Sequence, residues 1–558
     1  MEKIVDKITF KKETRPKLKK EGKTIALCHG VFDLVHPGHI IHLQQAKQMA
    51  DILVVSITAA EYVRKGPGRP YFNDEMRMKV LAAMECVDYV MLSEGYTVDD
   101  IVESVEPDLY IKGEEYAKES EDITGKMTAE RELVEKHGGK VAYTTGEVFS
   151  STKLINTALS GLPEDVIRYM ECFITKYSME DIKKYAEKAE NLKVLVVGDV
   201  IIDKYTYCVV HGLMSKDTGY SSGLEYSEQY LGGAVAVARH LSSFTENVTL
   251  MSIVGNEEDI RLQFLDEIAD KMRLKLTYSA VFPTIVKHRY LTRNAKREEY
   301  RKIFSINNIP DPMVYEEEVR EEFYRGLAEK IDDFDVVFLC DFGHGLIDEK
   351  VKDLIQEKAN YLVLNCQTNS TNYGMNIITK YSRADAFTLD QKELKLAYPM
   401  DMADEHTALA KLSSHLGCGG WLTRGAEGAY GIEGQKISEG HNVQKCQDRY
   451  ECRNIDQSPH ICEYPYVDEC EDIYQYRDIY QCNDIYQCPA FTLTVKDTVG
   501  AGDAFYSIAG LYAAAGASIE LGTFMGNIAG ALGANIVGNK EAVEKVNVLK
   551  YAGTLLNI

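Results

Sequence analysis

The chain has 558 residues, 45% of them hydrophobic and 27% charged, and a formal net charge of −23. It is too long for a single hydrophobic core, and length alone allows about three or four domains at most. So acidic a chain argues against a nucleic-acid partner held by general charge, and no apolar run is long enough to span a bilayer. Met1 to Gly22 is polar and lysine-rich without a signal-peptide core, and the 13 cysteines form no C-x-x-C pairs. Together these predict a reducing, cytoplasmic setting with no membrane partner.

Taken in order, Thr24–His29 reads as a buried strand and Ile40–Ala50 as an amphipathic helix. Between them runs Gly30-Val-Phe32-Asp33-Leu-Val-His36-Pro-Gly38-His39. Two imidazoles therefore flank a Pro-Gly step at a helix N-terminus, where unpaired N–H groups and the helix dipole favour phosphate. Gly38 carries no Cβ to hold a phosphate away, and the histidines can donate to phosphoryl oxygens as charge builds. Strands at 52–58, 89–92, 109–112 and 141–144 alternate with helices at 74–83, 98–105 and 129–136. That alternation predicts a doubly wound parallel sheet with its ligand beyond the strand carboxyl ends. Arg69, Asn73 and Arg77 follow the second strand, and Lys112 ends the fourth. Ser150-Ser151-Thr152 opens a final helix as either an N-cap or a second phosphate cradle. Lys47 is a second cation for the site or a solvated helix lysine.

GVFDLVHPGH, RPYFNDEMRMKVLAAMECVDYV, PDLYIKGEEY and VFSSTKLI together resemble the HxGH cytidylyltransferase-like nucleotidyltransferases. Within these they look most like the adenylyltransferase half of the bifunctional heptose-phosphate kinase/adenylyltransferases. Glycerol-phosphate cytidylyltransferases are a looser match. The resemblance covers a domain at 1–160. It implies that His36 and His39 stabilise the transferring phosphoryl group, with nucleotide contacts from Gly30, Phe32, Asp33, Gly38, Lys47, Arg77, Lys112, Ser150, Ser151 and Thr152.

Residues 161–192 alternate charged and apolar positions at helical spacing and read as a helical linker. A second domain at 193–558 opens with the strand Lys193–Gly198, which runs on to two acids, Asp199 and Asp203. Gly232-Gly233 then starts a helix. Far downstream, Asp497-Thr-Val-Gly500-Ala501-Gly502-Asp503 leads into a helix of small residues. A glycine-rich turn at a helix N-terminus is an anion hole, and an Asp just inside it is placed to act as a general base. These residues resemble the ribokinase-like sugar kinases, an α/β sandwich with a small β lid expected from about 205–230 and 285–306. The resemblance makes Asp503 the base and Gly500, Ala501 and Gly502 the anion hole. It also makes Asp199, Asp203, Gly232 and Gly233 the sugar site, Asp390, Thr423, Gly425 and Asn527 the ATP site, and Glu393 the metal ligand.

Ala236 replaces the family asparagine after the glycine pair, and Asp390 replaces the asparagine of Asn-x-x-Glu. Asp341–Gly345, with His344, and Asn365–Asn369 are polar clusters at strand ends, either acceptor contacts or packed loops. Residues 441–490 carry six cysteines and a repeated Asp-Ile-Tyr-Gln at 472, 478 and 484. They read as a surface insert, with a metal or disulfide cluster as the sharper alternative. The whole implies a Mg²⁺-dependent enzyme that phosphorylates a sugar with ATP and joins it to ATP or CTP, as a homo-oligomer, expected to be a dimer. The rivals are a nucleotidyltransferase whose kinase-like domain only senses a sugar phosphate, and a glycerol- or polyol-phosphate cytidylyltransferase.

Overall fold

One parallel sheet and one mixed, mostly parallel sheet take up most of the apolar runs in the sequence. The computed structural model describes residues 3–63, 69–95, 97–113, 126–144, 162–258, 268, 270–293, 300–309, 315–369, 372–401, 404–434, 485–492 and 495–557. The first sheet contains β1 (Ile25–Gly30), β2 (Ile52–Thr58), β3 (Tyr89–Ser93), β4 (Leu109–Gly113) and β5 (Lys140–Thr144). Their order is β3-β2-β1-β4-β5, all parallel. Alternate residues of β1 feed separate cores, Ile25 and Leu27 on one face and Ala26 and Cys28 on the other. A strand covered on both faces must be apolar throughout, which is why it reads as an unbroken run. The order reverses between β1 and β4, and the crevice at such a reversal is where open sheets bind ligands. The lysine-rich opening contributes to this core as well, burying Phe10 and Leu18.

The larger body begins with β6 (Val194–Gly198), then the long hairpin β7 (Val200–Leu213) and β8 (Tyr220–Gly233). There follow β9 (Val248–Gly255), β10 (Arg273–Ser279), β11 (Ile285–Arg293) and β12 (Tyr300–Asn308). The remaining strands are β13 (Val336–Asp341), β14 (Leu362–Cys366), β15 (Ala386–Asp390), β16 (Gly419–Thr423), β17 (Ala429–Ile432) and β18 (Ile485–Cys488). Nine strands form one sheet in the order β10-β9-β6-β13-β14-β15-β16-β17-β18, and four form the lid, β12-β11-β7-β8. The chain is thus α/β throughout, a doubly wound domain, as the alternation of strands and helices predicts, followed by a sandwich with a small lid, as the resemblance implies.

Two features depart from the sequence reading. The segment 161–192 forms helices Glu164–Phe173 and Met179–Glu190, whose Val166, Met170, Phe173, Ile182, Ala186 and Ala189 are part of the larger core. Phe173 stacks on Phe524 at 4.1 Å between ring centres. The end of the stretch 441–490 is also no surface insert. Its Ile485–Cys488 is strand β18, paired antiparallel with β17, and Cys488 is fully buried. The rest of the insert, to Asp484, lies outside the described residues. The cysteines that are described are all free thiols. No helix among the described residues is long and apolar enough to cross a membrane.

Packing also fixes the helix Ala501–Ala514. A Cβ at Gly526 would lie 2.9 Å from the Phe505 ring, so only glycine lets helix Ile519–Gly533 come this close. Behind it Trp421 is fully buried, with Nε1 donating to Ile519 O at 3.2 Å. Tyr506 Oη lies 3.0 Å from Leu339 O and 2.8 Å from Val363 O, which ties the first half of Ala501–Ala514 to the sheet.

Candidate active sites

In the first domain the helix Pro37–Gln48 is capped by the two histidines themselves. His36 Nδ1 accepts from the Gly38 N–H at 3.1 Å, and His39 Nδ1 accepts from the His36 N–H at 3.4 Å. This reciprocal arrangement is a capping box, and the rings lie 4.0 Å apart. A ring nitrogen that accepts carries no proton, so each neutral imidazole holds its proton on Nε2. Burial draws the His36 pKa below its ordinary value and keeps that ring neutral. The cap therefore sets both histidines as Nε2–H donors at the positive end of a helix, beside the reversal point of the sheet.

Around this turn, several sequence-predicted residues position the backbone instead of presenting charge. Asp33 is buried, accepts from the Tyr71 and Phe72 N–H groups at 2.6 and 3.2 Å, and pairs with Arg69 at 2.9 Å. Asn73 caps the helix Asp74–Ala82. Gly30 leaves room for the Phe32 ring, 3.1 Å from where a Cβ would stand, and Phe32 contacts His39 with ring centres 5.3 Å apart.

Two expected cations are corrected. Arg77 has a fully buried side chain that donates to Val31 O at 2.7 Å, Thr58 O at 2.9 Å and Phe72 O at 3.1 Å, and pairs with Asp74. Its guanidinium ties the carboxyl ends of the strands together and has no face left for a nucleotide. Arg77→Met is therefore expected to lower the stability of this domain by about 3 kcal/mol, because buried carbonyls lose a charged donor. Thermal denaturation checks this. An unchanged transition with a raised nucleotide KM would restore the direct-contact reading. Lys47 lies at the other end of the sheet, bound to Asp88 at 2.6 Å and to Asp51 O. Asp88 and Asp51 stand just before β3 and β2, opposite the carboxyl edge, so Lys47 cannot serve the site.

Lys112 does lie at the carboxyl edge, paired with buried Glu130 at 2.9 Å. Its charge, after burial, holds the His42 imidazole below the ordinary value. His42 lies on the helix behind His39 and bonds Thr144 Oγ1 at 2.7 Å. Sequence reading passed over it, although its place one turn beyond His39 was a usable signal. Ser150, Ser151 and Thr152 lie outside the described residues.

In the larger body, Gly500 caps the helix Ala501–Ala514 with φ +85, and no side chain caps that end among the described residues. A side chain at Gly500 would also collide with Asn539. The first-turn N–H groups of Ala501, which donates to Thr498 O at 3.4 Å, and of Gly502 stand at the positive end of this helix, which suits developing phosphate charge. Asp503 sits in the same turn, with Gln367 Nε2 3.4 Å from Oδ1. Burial pushes its pKa up to about 7; Asp203 adds to this, while Gln367 and Lys287 oppose it. Asp203 is buried and pairs with Arg289 of the lid, and glycine at 232 is required because a Cβ there would strike its carboxylate. Gly233, at φ +59, starts the helix Ala234–Ser242. Asp199, at the end of β6, faces His344. Sequence reading missed Lys287 and Arg289. Lys287 pairs in register with Asp203 across β11 and β7. Burial lowers its pKa, while Asp203, Asp199 and Asp503 hold it up.

On the expected ATP side, Asp390 and Thr423 are register partners at the ends of β15 and β16. Asp390 Oδ1 accepts from Glu393 N at 2.8 Å and Glu393 Oε2 from Asp390 N at 2.9 Å, so both carboxylates cap the helix Gln391–Ala397. Glu393 also accepts from Thr368 N at 3.1 Å. Burial, then the charge of Asp390, pushes the Glu393 pKa up to about 8, with Asp503 contributing. Thr423 Oγ1 donates to Leu389 O, Gly425 opens a 3₁₀ turn at φ +58, and Asn527 Nδ2 lies 3.5 Å from Cys488 O.

Residues 27–157 match the Cytidylyltransferase-like family. Bifunctional protein HldE of Syntrophotalea carbinolica is 36% identical over 125 residues, 22% of this chain and 24% of that protein. HldE of Geobacter sulfurreducens is 34% identical over 152 residues, 26% and 29% of the two chains. The chain thus spans about a quarter of the length of these curated relatives. Ribokinase of Thermotoga maritima aligns over 65% of this chain and 99% of its own, at 13% identity and a TM-score of 0.43. Phosphofructokinase-2 of Escherichia coli, in complex with potassium, gives the same coverage, identity and TM-score.

Proposed function

We propose that the chain is a bifunctional sugar kinase and sugar-phosphate nucleotidyltransferase that makes a nucleotide-activated, heptose-like sugar for cell-surface glycans. The observation that carries this is the presence of two separately built helix starts suited to phosphate. One is capped by the His36–His39 pair. The other is led by Gly500 with Asp503 in its first turn. The likeness of the first domain to HldE supports it.

In the larger body Asp503 takes the proton from an acceptor hydroxyl. That oxygen then attacks the γ-phosphorus of ATP, and ADP leaves as the N–H groups of Ala501 and Gly502 offset its charge. The lid residues Lys287 and Arg289 close over the acceptor beside Asp203. In the first domain an oxygen of the sugar phosphate attacks the α-phosphorus of a nucleoside triphosphate, and pyrophosphate leaves. The Nε2–H groups of His36 and His39 donate to the transferring phosphoryl oxygens, and no covalent enzyme intermediate is needed.

Magnesium fits as the companion of the nucleotide phosphates. Among the described residues no three His, Cys, Asp or Glu side chains gather into a cage, and Mg²⁺ is usually held by one or two carboxylates together with phosphates. Glu393, crowded by Asp390 and Asp503, is the carboxylate that such a cation would relieve. Held by Glu393, the ion would supply positive charge to the nucleotide phosphates. A cytoplasmic homodimer completes the proposal, supported by the apolar lid residues Leu213, Leu224, Tyr220 and Ile306, all exposed.

Mass spectrometry of products formed from Mg²⁺, ATP, CTP and heptose 7-phosphate tests the reading. A nucleotide-heptose is the expected product. A nucleotidyl product formed only when a sugar 1-phosphate or polyol phosphate is supplied would overturn the kinase half. That second reading, a nucleotidyltransferase with a binding-only partner domain, is favoured by Ala236 and by the use of Asp390 as a helix cap.

A further inference from the structure

Asn539 stands in the turn after helix Ile519–Gly533 and is 5% exposed. Sequence reading gives it no role. Its carboxamide fills the gap between two glycines of different elements. A Cβ on Gly500 would meet Asn539 Oδ1 at 2.0 Å, and a Cβ on Gly232 would meet Nδ2 at 3.4 Å. The same Cβ on Gly232 would meet Asp203 Oδ2 at 2.2 Å. The amide therefore lies between the turn that leads Ala501–Ala514 and the end of β8 beside Asp203. Its nitrogen end is the one turned to the carboxylate, as a negative charge favours.

The backbone around Asn539 is held from two sides. Arg239, one turn beyond Ala236 on helix Ala234–Ser242, donates to Asn539 O at 2.9 Å and to Lys540 O at 3.0 Å. Asp497 Oδ2 accepts from the Gly538 N–H at 2.9 Å, and Gly538 itself turns at φ +55. None of these bonds uses the Asn539 side chain. Among the described residues its amide has no hydrogen-bond partner, and an amide buried unmet is costly. Arg289 of the lid takes Asp203 Oδ1, which leaves Oδ2 as the acceptor beside Asn539 Nδ2. A donor and an acceptor that converge on one place without bonding each other fit a group that serves both. A hydroxyl does so. An ammonium can only donate and an ether can only accept, so each would satisfy one of the two.

We infer that Asn539 is an acceptor-binding residue of the larger body, whose Nδ2–H donates to a sugar hydroxyl beside Asp203 Oδ2. The inference rests on the acceptor-site reading of that body. It adds a specificity-determining side chain, and with it the demand that the acceptor carry a hydroxyl at this point, not an amine or an ether.

Calorimetric titration of the full chain with heptose 7-phosphate and with ribitol 5-phosphate tests this, with ATP consumption measured in parallel. The wild type is expected to bind at least one of the two probes. Asn539→Leu keeps the branched shape without a donor and is expected to raise the Kd for that probe about tenfold, the worth of one buried hydrogen bond. Asn539→Asp keeps the shape but turns an oxygen toward Asp203, and is expected to weaken binding further than leucine does. The thermal transition of Asn539→Leu should not fall, because the turn is held through its backbone.

Equal binding by the wild type and both variants overturns the inference and marks an amide that meets only water. Wild-type affinity in Asn539→Asp overturns it as well, since an oxygen at that place cannot donate. So does weakened binding with a lowered thermal transition in Asn539→Leu, which marks a merely structural side chain. Phosphorylation of a probe that all three proteins bind equally removes the inference and leaves the kinase reading. The expected variant pattern without ATP consumption supports Asn539 as a binding residue and removes the kinase reading alone. No binding of either probe by the wild type removes both.

Discussion

Asp503→Asn is expected to abolish ATP-dependent phosphorylation while leaving nucleotidyl transfer from a supplied sugar phosphate intact. The amide keeps the size of the side chain and can still meet Gln367, but it cannot take a proton. A positioned general base contributes about 10²- to 10⁴-fold, so residual turnover should lie at or below about 1% of the wild type. The substitution also removes a buried carboxylate that stands close to the charge of Asp203, so the variant should be no less stable than its parent. Loss of phosphorylation together with loss of folding would leave the base unproven, and His36→Ala supplies the control, because its defect lies in the other domain. Unchanged ATP turnover by Asp503→Asn would end the kinase reading.

The same residue sets an expected pH profile. Its carboxyl is pushed up to about 7 by burial and by Asp203, and a base works only when deprotonated. Kinase kcat/KM should therefore fall by about tenfold per pH unit below 6 and level off above about 8. A carboxylate at its ordinary value would leave the rate flat down to about pH 5. A flat profile over that range would show that burial does not hold the proton on Asp503 in the working enzyme.

The residues that sequence reading located well are those whose chemistry is local. β2 runs from Ile52 to Thr58 as its apolar run does, because a strand covered on both faces must be apolar and must stop where polar residues begin. The histidine pair and the Gly500 turn were legible for a similar reason, since a helix start needs its cap within a few residues of itself. What failed was the pairing of charge across the fold. Arg77 read as a cation of the site and Lys47 as either such a cation or a solvated lysine, yet their partners lie on other elements, Asp88 for Lys47 and Val31 and Thr58 for Arg77. Lys287 and Arg289 were hidden by the reverse effect. In an alternating lid strand they look solvated, and only the register of β11 against β7 brings them over Asp203. The strand Ile485–Cys488 was masked by its likeness to two other copies of the same tetrapeptide, since repetition says nothing of which copy a sheet will recruit.

The histidine turn carries the second large effect, and its double duty gives the experiment its form. His36 caps a helix through Nδ1 and, in the proposed reaction, donates to phosphate through Nε2. His36→Ala removes both. It is expected to lower stability by about 1 kcal/mol through the lost cap and nucleotidyl transfer by about 10²- to 10³-fold through the lost donor. His36→Asn separates the two, because asparagine is among the best N-caps and can meet the Gly38 N–H, but reaches no further. Its thermal transition should return to the wild-type value while transfer stays at the level of the alanine variant. His39→Ala should show the complementary pattern, a similar loss of rate with a smaller loss of stability, because the bond it accepts from the His36 N–H is the longer of the two at 3.4 Å. In all three variants ATP consumption at the Asp503 site should be unchanged. If His36→Asn restored transfer together with stability, the histidine pair would be a helix cap alone, and the phosphoryl group would have to be neutralised by other residues of the domain.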